Sequence, residues 1–218
     1  MSLFILYSTA LLLGSLHAME ADHMAAVTSF AVRRPGVRAA VGFGVRWSAG
    51  HGGAIVVIGA GLLLLGIQVP DATTHWLERL VGVMMIGLGV WTVHGASKLH
   101  AHQHVHGDNV RHSHLHSHAL AGSHEHGHAV TAVGLLHGLA GSGSAVALIP
   151  VIGSATPASG ILYLIVFAFG TIAAMAIYGL LAGMIVGRAA DNSVRLARML
   201  ARGTGLITVV IGFVWLLR

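Results

Sequence analysis

His17-Ala-Met-Glu20-Ala-Asp22-His23 packs four ionisable side chains into seven positions, with apolar sequence on both sides. Imidazole and carboxylate groups bind divalent metal ions, and they do so only when deprotonated. A charge inside a membrane helix costs roughly 2.5–3.5 kcal/mol on insertion scales, so such residues are rare unless something compensates them. A bound cation would compensate several at once. The plainer alternative is a helix end that has reached water, which accounts for Asp22 and His23 but not for His17 and Glu20. On a regular helix His17, Glu20 and His23 share an arc of about 120°, whereas Asp22 lies about 100° from His23. A regular helix therefore cannot aim all four at one ion. Either the helix unwinds here, or Asp22 holds a ligand histidine from behind.

Two further histidines sit in apolar sequence. His51 lies in Ser48-Ala-Gly-His51-Gly-Gly, where glycines on both sides let another helix or a ligand come close. His137 lies in Leu135-Leu-His137-Gly-Leu-Ala-Gly-Ser142-Gly-Ser144. A lone histidine in such a helix is more often a packed core residue than a ligand. The candidate ligand set is nevertheless His17, Glu20, Asp22, His23, His51 and His137. Ser142 and Ser144 are read as packing residues. His94 falls near the end of its apolar segment, and Met19, Met24, Met84, Met85 and Met175 are read as ordinary lipid or core contacts. With no cysteine in 218 residues there is no disulfide and no thiolate ligand.

The elements that must position these residues are membrane helices. Only 9% of the chain is charged and 55% is hydrophobic, against roughly 25% charged in a soluble domain. Six apolar segments, Leu3–Phe30, Val41–Gly66, Leu77–Ser97, Ala129–Gly153, Ile161–Val186 and Ala201–Leu217, are each near or above the length that crosses a bilayer. None alternates as barrel strands would. Leu3–Leu13 has the length of a signal-peptide core, but no positive charge precedes it and apolar character resumes after His23. The net charge of +5 comes from arginines in short clusters between apolar runs, which speaks for membrane topology and against nucleic acid as a partner. Arg33, Arg34 and Arg38, then Lys98 and Arg111, then Arg188, Arg195, Arg198 and Arg202 mark one side. Arg79 and Arg218 mark the other. The positive-inside rule puts the first side in the cytoplasm and both termini outside.

The chain repeats itself weakly. Gly14-Ser-Leu-His17-Ala resembles Gly134-Leu-Leu-His137-Gly, and Ile86-Gly-Leu-Gly-Val-Trp91 resembles Val210-Ile-Gly-Phe-Val-Trp215. Halves of three helices have opposite orientations, and inverted repeats place transporter sites at their interface. The expected fold is an all-α integral membrane protein: a first three-helix repeat over residues 1–97, a histidine-rich cytoplasmic loop over 98–128, and a second repeat over 129–218. Between His100 and His128 the loop holds eleven histidines, many at alternate positions. Such a run binds transition metals weakly and exchangeably, and is expected to be disordered without metal. Buffering, delivery or sensing suits it better than transport.

The spacing of His17, Asp22 and His23 resembles the His-X4-Asp-His signature of the nickel/cobalt transporter family. The elements around Gly50-His51 and Leu136-His137 resemble those of its short, six-helix members, including urease accessory permeases. The resemblance covers most of the chain outside the histidine-rich loop. It implies transport of Ni²⁺ or Co²⁺, with His17, Asp22 and His23 essential. Longer members carry the signature on their second helix, whereas here it lies on the first. The expectation is therefore a metal permease of the cell membrane and not an enzyme. It would have no prosthetic group, lipid and the ion as its partners, and a cytoplasmic metallochaperone as possible recipient. Uptake is favoured over efflux. The competing classes are an intramembrane metalloenzyme with Glu20 as general base, and a membrane metal sensor or store built on the loop.

Overall fold

A computed structural model describes residues 2–67, 70–97, 100–105, 111–116, 126–140 and 156–217. Among the described residues seven helices and one hairpin follow one another: α1 Leu3–His17, α2 Ala21–Ala31, α3 Val37–Leu65, α4 Asp71–Ala96, β1 His100–Val105, β2 Arg111–His116, α5 His126–Ala140, α6 Pro157–Asn192 and α7 Val194–Leu216. Four of them, α3, α4, α6 and α7, are each long and apolar enough to cross a membrane. Helices α1 and α2 make a fifth span if taken together, bent by 57° at their junction. The protein is thus an all-helical, multi-pass membrane protein with a small hairpin.

The exterior shows the solvent this chain was built for. Phe4, Val57, Leu65, Phe169, Ile185 and Val210 are all exposed. A surface this apolar belongs in lipid, where helices satisfy their own backbone groups and large side chains face outward. The interior is correspondingly fine-grained. Helix pairs α3–α6, α4–α7, α3–α5 and α1–α6 make the main contacts. An added Cβ on Gly14 would collide with the Phe167 carbonyl, and one on Gly134 with that of Trp47. Likewise Gly50 meets the Thr131 carbonyl and Gly170 that of Leu11. Small residues let the backbones approach, because packing and not the hydrophobic effect drives helix association in lipid.

The segment boundaries differ from the apolar runs. The first run is broken after His17, α6 extends well past Val186, and α7 begins at Val194 instead of Ala201. Charged residues such as Arg188 and Arg198 end an apolar run but do not end a helix, whose backbone bonds continue through them. The fourth run is described as helix only to Ala140; its remainder, with Ser142 and Ser144, lies outside the described residues. Proline and threonine start α6: Thr156 and Ser159 form a capping box, with Pro157 in the first turn.

Helix α2 is tied to its neighbours by polar contacts. Thr28 Oγ1 lies 2.6 Å from the Tyr178 hydroxyl, and Ser29 Oγ lies 3.0 Å from Thr208 Oγ1. Beyond its end, Arg33 donates to the Trp91 carbonyl at 2.7 Å and lies 3.7 Å over the Trp91 ring.

In the histidine-rich segment, residues 100–105 and 111–116 form an antiparallel pair, and 98–99, 106–110 and 117–125 lie outside the described residues. Alternation of His with other residues is the period of a strand, and that local pattern prevailed over the polar composition.

Candidate metal centre

The break between α1 and α2 creates the site. His17 closes α1, and the next amides fold back in tight turns, Met19 N–H to Leu16 O and Glu20 N–H to His17 O. Glu20 is then extended (φ −64°, ψ 149°) and serves as N-cap of α2. The unwinding lets His17, Asp22 and His23 share one interior, which a regular helix would forbid.

Three imidazoles converge there. His17 Nε2 lies 3.0 Å from His51 Nε2 and 3.0 Å from His23 Nε2, and the last two are 3.4 Å apart. All three rings are buried. An ion bonded to imidazole nitrogens at about 2.0–2.1 Å holds them roughly 3.0–3.4 Å apart.

The other ring nitrogens of His17 and His23 decide what those two can be. His17 Nδ1 lies 3.0 Å from Glu20 Oε1, and His23 Nδ1 lies 2.8 Å from Asp22 Oδ1. Facing carboxylates, both Nδ1 atoms are donors. In a neutral imidazole the remaining Nε2 is then a bare lone pair. Two such lone pairs face each other at 3.0 Å, and a cation between them relieves the repulsion. Carboxylates behind ligand histidines fix the tautomer and raise the basicity of the ring.

Asp22 does more than orient His23. Its Oδ1 also accepts the His23 amide at 2.8 Å, and its Oδ2 accepts from His137 Nε2 at 3.1 Å. His137 is thereby occupied with the carboxylate, and its Nε2 is not part of the histidine triangle. Glu20, by contrast, is 46% exposed. Of the six sequence candidates, the structure groups His17, His23 and His51 as one set and Asp22, His23 and His137 as another. Glu20 stands behind His17.

Aromatic walls enclose the triangle. The Trp47 ring stacks on His51 at 10° with centroids 5.1 Å apart, and Phe167 lies 5.5 Å from His17. Sequence reading missed both. Trp47 had a signal, because it precedes His51 by one helical turn on α3; Phe167 had none. Met85 and Met175 are buried in the core cluster, as expected of ordinary packing.

Residues 6–214 match the family described as the cytochrome C biogenesis protein transmembrane region. The chain belongs to that family. Among curated proteins it is similar to the urease accessory protein UreH of Bacillus sp. (strain TB-90), with 26% identity over 204 residues, 92% of this chain and 85% of that protein. It is also similar to the chloroplast protein FOR GROWTH AND FERTILITY 2 of Arabidopsis thaliana, with 24% identity over 206 residues, 94% of this chain and 54% of that protein. No solved structure matches.

Proposed function

We propose that this chain is a permease for a divalent transition-metal ion, Ni²⁺ or Co²⁺, with His17, His23 and His51 as the ligands in the bilayer. The reading is carried by the His17–His23 contact, in which two carboxylate-backed imidazoles turn their lone pairs on each other at 3.0 Å. Imidazole suits nickel and its neighbours in the transition series, and geometry rather than raw affinity must select among them. The resemblance of His17, Asp22 and His23 to the nickel/cobalt transporter signature supports the same ions, as does the likeness to a urease accessory protein.

The two-repeat organisation, residues 1–97 and 129–218, belongs to this proposal. Its support lies in the helix contacts. Gly14–Phe167 and Gly50–Thr131 have counterparts in Gly134–Trp47 and Gly170–Leu11, with every residue displaced by the same number of positions. By that correspondence His17 matches His137, and His51 matches Thr171. In the third helices, Gly82 meets Gly212 and Gly89 meets Gly205. These contacts interconvert when Ile86 is matched with Val209, one position from the Val210 of the sequence comparison. The ion enters from outside, rests at the midplane, and leaves to the cytoplasm as the halves rock. Arginine counting supports that sidedness.

Purified protein in liposomes holding a metal-sensitive dye tests the reading. Nickel or cobalt flux should exceed that of manganese and should vanish in His17→Ala and His23→Ala. Equal flux in the wild type and His23→Ala would remove the site. In the metalloenzyme alternative Glu20 would be the general base; its contact with His17 Nδ1 suits a carboxylate that orients a ligand histidine.

A further inference from the structure

Between Arg38 and Asp71 the sequence holds a single Lys, Arg, Asp or Glu, and it is Arg46. Arg46 lies about 14 Å along α3 from Val37, inside the apolar run that starts at Val41, and it is exposed. The packed sides of α3 point elsewhere. Ala40, Gly44 and Gly52 lie against α6, and Gly50 lies against α5. Arg38, Gly42, Val45 and Arg46 fall on the opposite side, within an arc of about 100°. On that side an added Cβ on Gly53 would meet nothing within 4 Å, and Val57 is 73% exposed. Arg46 therefore stands on the lipid-facing side of the protein.

An arginine among lipid chains is costly, and its long stem lets the charged head reach back toward the interface. Arg46 takes that course. Its Nη1 lies 3.1 Å from the place a Cβ on Gly42 would occupy, one helical turn nearer to Arg38. The missing side chain of Gly42 makes a seat for the guanidinium. The two arginines share a cleft of about 900 Å³ with Pro35, Gly36, Val41 and Val45. Neither has an ion-pair partner among the described residues. Two unpaired positive charges on one lipid-facing surface suit an anion that itself resides in the bilayer. The guanidinium fork matches phosphate oxygens, and the valines along the same side suit an acyl chain. We infer that the Arg38–Gly42–Arg46 face of α3 binds an anionic phospholipid, with its phosphate at the two guanidiniums and an acyl chain along Val45 and Val57. A zwitterionic headgroup would bring its own cation against the arginines and fits less well. Arginine counting puts this end of α3 at the cytoplasmic leaflet, where basic groups beside membrane helices attract anionic headgroups.

Native mass spectrometry of the full chain in detergent, titrated with phosphatidylglycerol or with phosphatidylcholine, tests the site. Phosphatidylglycerol should bind the more tightly, and its affinity should fall about tenfold or more when Arg38→Leu and Arg46→Leu are combined. Equal affinity in the parent chain and the double variant overturns the inference. Gly42→Leu separates a built seat from charge alone, because it keeps both arginines and displaces only the Arg46 head. Binding should weaken there too; full affinity would mean diffuse attraction and refute the seat. Inorganic phosphate, added at the same concentration as the lipid, should displace little of it. Displacement as effective as that by phosphatidylglycerol would reassign the cleft to a free anion and overturn the lipid. All three substitutions lie on the lipid-facing side, away from the helix contacts, so the fold should persist. No metal ion enters the measurement, so its outcome is independent of the permease reading.

Discussion

His137 donates to Asp22 across the chain's two halves at 3.1 Å, while the other oxygen of the same carboxylate holds His23 at 2.8 Å. One buried carboxylate thus joins the second half of the sequence to an imidazole of the first. His137→Ala should lower apparent nickel affinity by about 10–100-fold, the usual effect of losing a group that braces a ligand. His137→Gln keeps a donor and should recover part of the loss. Dye-reported flux against nickel concentration reads both, and an unchanged half-saturation in His137→Ala would contradict the bracing role.

The two carboxylates should not be equivalent. Asp22 is buried and accepts three hydrogen bonds, whereas Glu20 is 46% exposed and accepts one. Asp22→Asn turns an amide donor toward groups that already donate, leaving a buried polar atom unmet at about 1–3 kcal/mol. Glu20→Gln can be rescued by water. Nickel affinity should therefore fall by roughly an order of magnitude more in Asp22→Asn than in Glu20→Gln, since about 1.4 kcal/mol is a factor of ten. Isothermal titration of the two variants checks the ranking.

Helix crossings offer a stability test. Gly14→Ala and Gly134→Ala force a methyl into the Phe167 and Trp47 carbonyls, and overpacking of this kind costs typically about 1–3 kcal/mol. Gly53 and Gly87 have nothing within 4 Å of an added Cβ, so alanine there should be neutral or gain up to about 1 kcal/mol from helix propensity. Thermal unfolding in detergent should separate the two pairs of variants.

Arg33 should behave as a latch. Its guanidinium bonds the Trp91 carbonyl and covers the Trp91 ring, and an added Cβ on Gly95 would strike it. Arg33→Lys keeps the charge but loses the planar stack. Both Arg33→Lys and Gly95→Ala should loosen α2 from α4, seen as faster proteolysis after Phe30 than in the parent chain. Indistinguishable cleavage rates would dismiss the latch.

Much of this was legible beforehand, for identifiable reasons. The helical membrane fold followed from the charge deficit. The awkward angle of Asp22 on a regular wheel left two alternatives, an unwound helix or Asp22 holding a histidine from behind, and the structure shows both the break at Ala18–Glu20 and Asp22 against His23. The partition of the histidines was not legible. Sequence placed His51 and His137 alike in glycine-rich apolar surroundings, and only the fold sends one to the triangle and the other to Asp22. The pairing of residues 100–105 with 111–116 follows a period-two alternation that the polar composition of the segment obscured.

The 57° break has an electrical consequence. An unbroken span would keep its two poles at the membrane surfaces, whereas the break brings one of each into the interior. The carbonyl end of α1, at His17, carries about half a negative charge, and the amide end of α2, at Glu20 and Asp22, about half a positive one. The first would favour a cation beside the imidazoles and the second the carboxylates behind them, so the backbone itself would contribute to the proposed site without a further charged side chain in the lipid.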